Sequence, residues 1–242
     1  MLRAVWYLIN LIVWTIYYGG KVILAGLLRV PNRPGGVFDR TGRAWSSKLL
    51  WAAGVSVRVR GMDRVPRDTP VVYVSNHQSF FDILALSATL PGSMRFVYKK
   101  EMAKIPILGP AMRNAGHIMI DRQNRQKAFG AYEEAAKAVQ AGLHAVVFAE
   151  GTRSRTGDLL PFKKGPFVFA IASQVPVVPI YCAGSFDILP KASIRVRSKP
   201  ITILFGAPIP TKGLTYEDRV KLLNQTRAAI EQLRFDAGEN GE

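Results

Sequence analysis

The longest pattern in the chain is at its start. Ala4 to Gly20 runs 17 residues without a charge, and Val22 to Leu28 is apolar again after Lys21. A helix spanning a bilayer needs about 20 apolar residues, so the first run is at the short edge of a span. Trp6, Trp14, Tyr7, Tyr17 and Tyr18 suit a membrane interface, where an aromatic ring buries its body and wets its edge. The segment reads as an uncleaved monotopic anchor dipping into one leaflet. A true span, a core helix and a signal peptide are the alternatives, and the last lacks a small-x-small cleavage site. Gly19-Gly20 is the expected bend of a helical hairpin within 1–30, with 22–28 as its second arm.

Beyond the anchor, short apolar runs alternate with segments of helical period. Trp45, Leu49, Leu50 and Ala53 share one face of a helix predicted over 41–53. Val55, Val57 and Val59 alternate with Ser56, Arg58 and Arg60, which predicts a strand with one wet face. Further strands are predicted at 71–74, 95–98, 117–120, 145–148, 177–181, 194–197 and 201–205. Helices are predicted at 80–90, 106–115, 125–141, 165–173 and 215–235, with Gly142 closing the third of them. Strands alternating with helices predict an α/β fold: one mixed-sheet domain over 38–235, preceded by the anchor and followed by a flexible tail over 236–242.

Composition narrows the partners. The 242 residues include 33 lysines and arginines against 17 aspartates and glutamates, a formal charge of +16. Such a balance points to nucleic acid, anionic lipid headgroups or phosphorylated substrates. No acid precedes Asp39, and residues 201–242 are slightly acidic, so the positive field belongs to the anchor and the body rather than to a basic tail. One cysteine, Cys182, excludes an internal disulfide and a four-cysteine zinc site, and no dense ligand cluster suggests any other metal. There is no Gly-x-Ser-x-Gly elbow, Walker A loop, dinucleotide fingerprint or nucleic-acid-binding motif.

Four clusters are left to carry chemistry. Asn76-His77 follows an apolar strand and precedes a helix that contains Asp82. A neutral imidazole can take a proton from a hydroxyl, and a carboxylate can orient the ring and stabilise its cation. The same Ser79-x-x-Asp82 spacing also fits a helix capping box that needs no histidine. Glu150-Gly151-Thr152-Arg153-Ser154 follows a buried strand, with Lys163-Lys164-Gly165 soon after. Its glycine, hydroxyls and arginine suit a phosphate, and a solvated loop with an Arg–Glu pair is the plainer alternative. Gly116 to Arg122 ends in Asp121-Arg122, for which a strand-end ion pair is the simpler account. Tyr98 to Met102, including Lys100, reads by itself as an exposed basic loop.

Taken in chain order, these clusters resemble the glycerophospholipid acyltransferase family, most closely its bacterial members acting on 1-acylglycerol-3-phosphate. Asn76, His77 and Asp82 match Asn-His-x-x-x-x-Asp. Gly116 with Ile120-Asp121-Arg122 matches the second motif, and Lys99 to Met102 matches the basic block before it. Glu150 to Ser154 matches Glu-Gly-Thr-Arg-Ser, with Phe162, Lys163 and Gly165 as Phe-Lys-x-Gly. Val175 to Ile180 matches the apolar fourth motif. Ala149 stands where the family has proline, and His117 and Met119 depart from the second motif.

The resemblance implies that His77 is a general base oriented by Asp82, with no covalent acyl-enzyme. It implies that Lys100, Asp121, Arg122, Glu150, Gly151, Thr152 and Arg153 hold the acceptor's phosphate, supported by Asn76, Ser154, Lys163 and Gly165. The acceptor would be lysophosphatidic acid. The donor would be acyl-CoA or acyl-acyl carrier protein, with no permanent cofactor, no metal and no nucleic acid. The implied setting is the anionic leaflet of a bacterial inner membrane, with the catalytic domain on the cytoplasmic face. Rival readings are a family enzyme with another glycerophosphate or lysolipid acceptor, a basic lipid-binding protein without catalysis, and a nucleic-acid-binding protein.

Overall fold

In the computed structural model, which describes residues 2–121 and 123–238, Val72 and Val74 enter one core and Tyr73 between them enters another. They belong to a central strand, and strand side chains alternate between the two faces of a sheet. The sheet has seven strands: β1 (Val57–Arg60), β2 (Val72–Ser75), β3 (Met94–Lys99), β4 (Ile118–Ile120), β5 (His144–Phe148), β6 (Val177–Ala183) and β7 (Ile201–Phe205). Their spatial order is β1-β7-β6-β2-β5-β3-β4. Only β6 and β7 pair antiparallel, so the sheet is mixed, as the alternation of elements predicts. β2, β5 and β6 are buried on both faces, which explains their unbroken apolar composition.

Eight helices accompany the strands among the described residues: α1 (Leu2–Leu27), α2 (Val37–Ala53), α3 (Phe80–Thr89), α4 (Leu108–Asn114), α5 (Arg125–Gln140), α6 (Gly165–Ser173), α7 (Ser185–Ile188) and α8 (Arg219–Asp236). α2 and α3 cover one face, where Leu49, Leu50, Phe81 and Leu84 meet Tyr73, Val146 and Val178. α5, α6 and α8 cover the other, where Val139, Phe167, Phe169 and Ile230 meet Val72, Val74 and Val147.

Three expectations differ from the structure. The segment 194–197 joins no ladder. β7 lies between β1 and β6 and offers it no free edge, and it is held instead by Arg197 N–H on the Ile188 carbonyl at 2.9 Å. The anchor does not bend at Gly19-Gly20 either: α1 is one continuous helix, and its antiparallel partner is α2. Trp6 Nε1 donates to the Ala52 carbonyl at 3.0 Å, and Trp45 Nε1 donates to Thr15 Oγ1 at 3.1 Å. Gly19 is a contact surface and not a hinge, because a Cβ there would collide with Ile107 beside α4. The tail beginning at Asp236 also differs: Asp236 is still helical, and residues 239–242 lie outside the described residues.

The α1–α2 connection is tied to the sheet by a buried ion pair. Arg95 of β3 meets Asp39 at 2.8 Å and donates to Asn32 Oδ1 at 2.7 Å. Removing one partner of such a pair strands a buried charge, so this cluster fixes how the N-terminal helices sit on the domain.

Candidate active site

β2, β5, β3 and β4 are parallel neighbours, so their carboxyl ends share one edge of the sheet. The four clusters singled out in the sequence all follow those ends: His77 after β2, Glu150–Ser154 after β5, Lys100 after β3 and Asp121 after β4. From β2 the chain passes to α3 on one face, and from β5 it passes to α6 on the other. Where neighbouring parallel strands send their connections to opposite faces, a crevice opens at their carboxyl ends. His77 and the 150–154 loop flank that crevice.

The local geometry at His77 is built mainly by Asp82. Its Oδ2 accepts from His77 Nδ1 at 2.9 Å, Gln78 N–H at 2.7 Å and Ser79 N–H at 2.9 Å. The capping box is present as well, so one carboxylate starts α3 and orients the imidazole. The two readings of this spacing are therefore compatible. A carboxylate only accepts, so the proton sits on Nδ1 and Nε2 carries the lone pair. The ring stacks on Phe148 with centroids 3.9 Å apart and keeps 14% side-chain exposure, while Asp82 is fully buried. Asn76 braces the strand end by bonding the Cys182 backbone twice, through Nδ2 to the carbonyl at 3.2 Å and through Oδ1 from the N–H at 2.8 Å.

Glu150 does not lie where the resemblance places it. It is 1% exposed and both carboxylate oxygens face inward. Oε1 accepts His77 N–H at 2.8 Å and Oε2 accepts Leu160 N–H at 3.0 Å. Both oxygens are thus engaged by backbone N–H groups, and the Arg–Glu pair of the plainer alternative is absent among the described residues. Ser154, also fully buried, returns an N–H to the His77 carbonyl at 2.9 Å. The His77 peptide is thus held from both sides by the loop after β5.

Burial pushes the Glu150 carboxyl up to about 7, against the two N–H groups that favour its charged form. A carboxyl whose folded-state pKa is raised stabilises the fold most below its ordinary value of 4.5 and loses that contribution as pH rises through about 7. Thermal melts of wild type and Glu150→Gln at several pH values test this. The wild type is expected to lose stability relative to the variant between those two values, and parallel curves would contradict it.

The rest of the loop faces outward. Gly151 adopts a left-handed φ of 69° that turns the chain. Arg153 is half-buried, with no ion pair or hydrogen bond among the described residues. Lys191, which no sequence pattern singles out, donates to Thr152 Oγ1 at 3.0 Å. Lys163 is exposed, and Gly165 lies so close to the Tyr132 hydroxyl that a side chain there would crowd it. Lys100 and Asp121 pair with each other at 2.9 Å, which raises the lysine's pKa and lowers the aspartate's. They stand two and three strands from β2, roughly 10 and 14 Å at normal strand spacing. Arg122 lies outside the described residues. No cluster suited to a metal exists among the described residues.

His77, with Nδ1 held by Asp82, thus stands at the carboxyl edge of a mostly parallel α/β sheet, its backbone tied to the loop that carries Arg153. The acyltransferase family model matches residues 56–183, and the chain belongs to that family and is an enzyme of acyl transfer. The 1-acyl-sn-glycerol-3-phosphate acyltransferase alpha of Homo sapiens is 37% identical over 224 residues, covering 88% of this chain and 77% of the human protein. A 1-acyl-sn-glycerol-3-phosphate acyltransferase of Cocos nucifera is 36% identical over 171 residues, or 70% of this chain and 55% of the coconut protein. In fold, the chain is similar to the crystal structure of the 1-acyl-sn-glycerophosphate (LPA) acyltransferase PlsC from Thermotoga maritima. The TM-score is 0.82 at 23% identity, covering 100% of this chain and 97% of that one.

Proposed function

We propose that this enzyme is a 1-acylglycerol-3-phosphate O-acyltransferase of phospholipid biosynthesis. It moves a fatty acyl group from an acyl thioester to the free sn-2 hydroxyl of lysophosphatidic acid, giving phosphatidic acid. The observation that carries this reading is the His77–Asp82 pair, with Nε2 unpartnered, fastened at its backbone to the loop that holds Arg153. Relatives that cover most of this chain carry the same activity in their names.

His77 Nε2 removes the hydroxyl proton as the oxygen attacks the thioester carbonyl carbon. The new C–O bond forms, the C–S bond breaks, and the leaving thiolate takes the proton back from His77. Asp82 keeps the lone pair on Nε2 and stabilises the imidazolium between the two transfers. Arg153, with Gly151, Thr152 and Lys191, holds the acceptor phosphate. Lys163, Lys100 and Arg122 add to the positive field that draws in both anionic substrates. Glu150 and Ser154 hold the His77 peptide, and Asp121 holds Lys100.

α1 seats the enzyme on an anionic membrane. It is long and apolar enough to cross one, yet it lies along the domain from Trp6 to Gly26 while Leu8, Ile12 and Ile16 face outward. That lengthwise contact supports a monotopic seat, and the setting proposed for it is the cytoplasmic face of a bacterial inner membrane, the side on which coenzyme A and acyl carrier protein thioesters are made.

Acyl-transfer assays with lysophosphatidic acid, glycerol-3-phosphate and an uncharged monoacylglycerol, each with acyl-CoA and acyl-acyl carrier protein, test the assignment. Lysophosphatidic acid is expected to be preferred, and equal use of the uncharged acceptor would remove the phosphate site. Arg153→Ala is expected to raise the acceptor KM by roughly 10-fold or more, the worth of one charged hydrogen bond, with little change in kcat at saturation. An unchanged KM would take Arg153 out of the site.

A further inference from the structure

Apart from Lys191, the loop between β6 and β7 is a surface that the proposed function leaves unused. β6 runs parallel to β2 and β7 runs antiparallel to β6, so this loop leaves the sheet at the same edge as His77. β1 is parallel to β7, which brings the end of α2, and with it the start of α1, to that edge too. The loop touches both sides. Ser79 Oγ donates to the Leu189 carbonyl at 2.9 Å and Lys191 donates to Thr152, next to the crevice. At its other end Ser198 Oγ donates to the Gly54 carbonyl, just past α2.

Between those ties stands Ile194, 83% exposed, while Val196 two residues on is buried. Arg195 and Arg197 follow it on the surface, and neither guanidinium has an ion-pair partner among the described residues. Across Gly54 lie Trp51, 65% exposed, and the half-exposed Trp6. One exposed isoleucine is ordinary on any surface. An exposed isoleucine followed by two arginines without ion-pair partners among the described residues, in a loop tied by Ser198 to Gly54 beside an exposed tryptophan pair, is not.

We propose that residues 194–197 form a second membrane contact. Ile194 enters the interface, and Arg195 and Arg197 bind anionic headgroups, setting the active-site edge against the leaflet that holds the acceptor. Apolar insertion flanked by arginine is how peripheral surfaces gain affinity for anionic bilayers. The proposal rests on the reading of α1 as a membrane helix.

The test uses the full chain reconstituted into vesicles of phosphatidylcholine with phosphatidylglycerol, doped with doxyl-labelled lipid as quencher. Cys182 is fully buried, so a polarity-sensitive thiol dye reports only introduced cysteines. Ile194→Cys is the test position, Leu8→Cys on α1 reports the membrane reading, and Lys221→Cys on α8 is the solvent control. Quenching is expected at 194 and 8 but not at 221, and more strongly at 194 when phosphatidylglycerol is present.

Quenching at 8 without 194 overturns this proposal and leaves the membrane reading standing. No quenching at either overturns both. A dye at 194 that responds only to added acyl carrier protein makes the loop a protein-docking site and also overturns the proposal. Ile194→Glu is expected to lower turnover of vesicle-borne acceptor about tenfold, the scale of one buried aliphatic side chain, and to leave turnover of a short-chain monomeric acceptor unchanged. Equal loss on both acceptors would make Ile194 structural and overturn the proposal.

Discussion

His77→Ala is expected to lower acyl transfer by about 10³-fold, the middle of the range for losing a positioned general base. The loss belongs in kcat, because the loop after β5, proposed to hold the phosphate, does not depend on the imidazole for its shape. The Glu150 and Ser154 bonds run to the His77 backbone, which alanine keeps. The ring's stacking on Phe148 is lost, but at a position already open to the crevice, so the fold is expected to survive. Turnover with lysophosphatidic acid, beside circular dichroism and the melting curve, checks this. A folded variant within tenfold of wild type would remove His77 as the base.

Asp82→Asn is the second large effect, and its size follows from the amide having two orientations. If the amide oxygen replaces Oδ2, it keeps the bonds to Gln78, Ser79 and His77. The NH2 then takes the place of Oδ1, a buried atom with no partner, and the charge that stabilised the imidazolium is gone. If the amide flips, its NH2 faces Nδ1 and forces the proton onto Nε2, so the base is lost. Either way activity is expected to fall by about 10²- to 10⁴-fold, the upper end being the cost of the wrong tautomer in serine proteases. Asp82→Ala removes the start of α3 too and is expected to cost an additional ~1 kcal/mol or so of stability. Asn activity near wild type would show that Asp82 only caps the helix.

Much of this site is legible along the chain because parallel strands deliver function at one end. Each strand at 72–75, 94–99, 118–120 and 144–148 is followed at once by its polar cluster. Five residues separating His77 from Asp82 across a helix start is a local spacing, so the bond between them can be anticipated. The pairing of Glu150 with His77 spans 73 residues and joins two neighbouring strands that are not consecutive in sequence. Nothing in the spacing of Glu150 distinguishes a residue facing a ligand from one facing a backbone N–H. Lys191 is hidden for the same reason: it reaches Thr152 only because β6 lies beside β2 and its outgoing loop folds back over the crevice. The segment 194–197 has the alternation of a strand, but a ladder needs a free neighbour, and β7, the strand that follows it, is already paired on both sides.

The sequence by itself determined the α/β class, the apolar N-terminal segment, the positive field and most of the residues proposed to remove a proton and bind a phosphate. These follow from local period, charge and short-range spacing, which a chain carries before it folds. Tertiary structure alone decided that α1 is unbroken and pairs with α2, that Glu150 serves His77 instead of the ligand, and that the β6–β7 loop joins the active edge. Each of those depends on which distant surfaces come into van der Waals or hydrogen-bond contact, and that is set by strand order and core packing and not by neighbours in sequence.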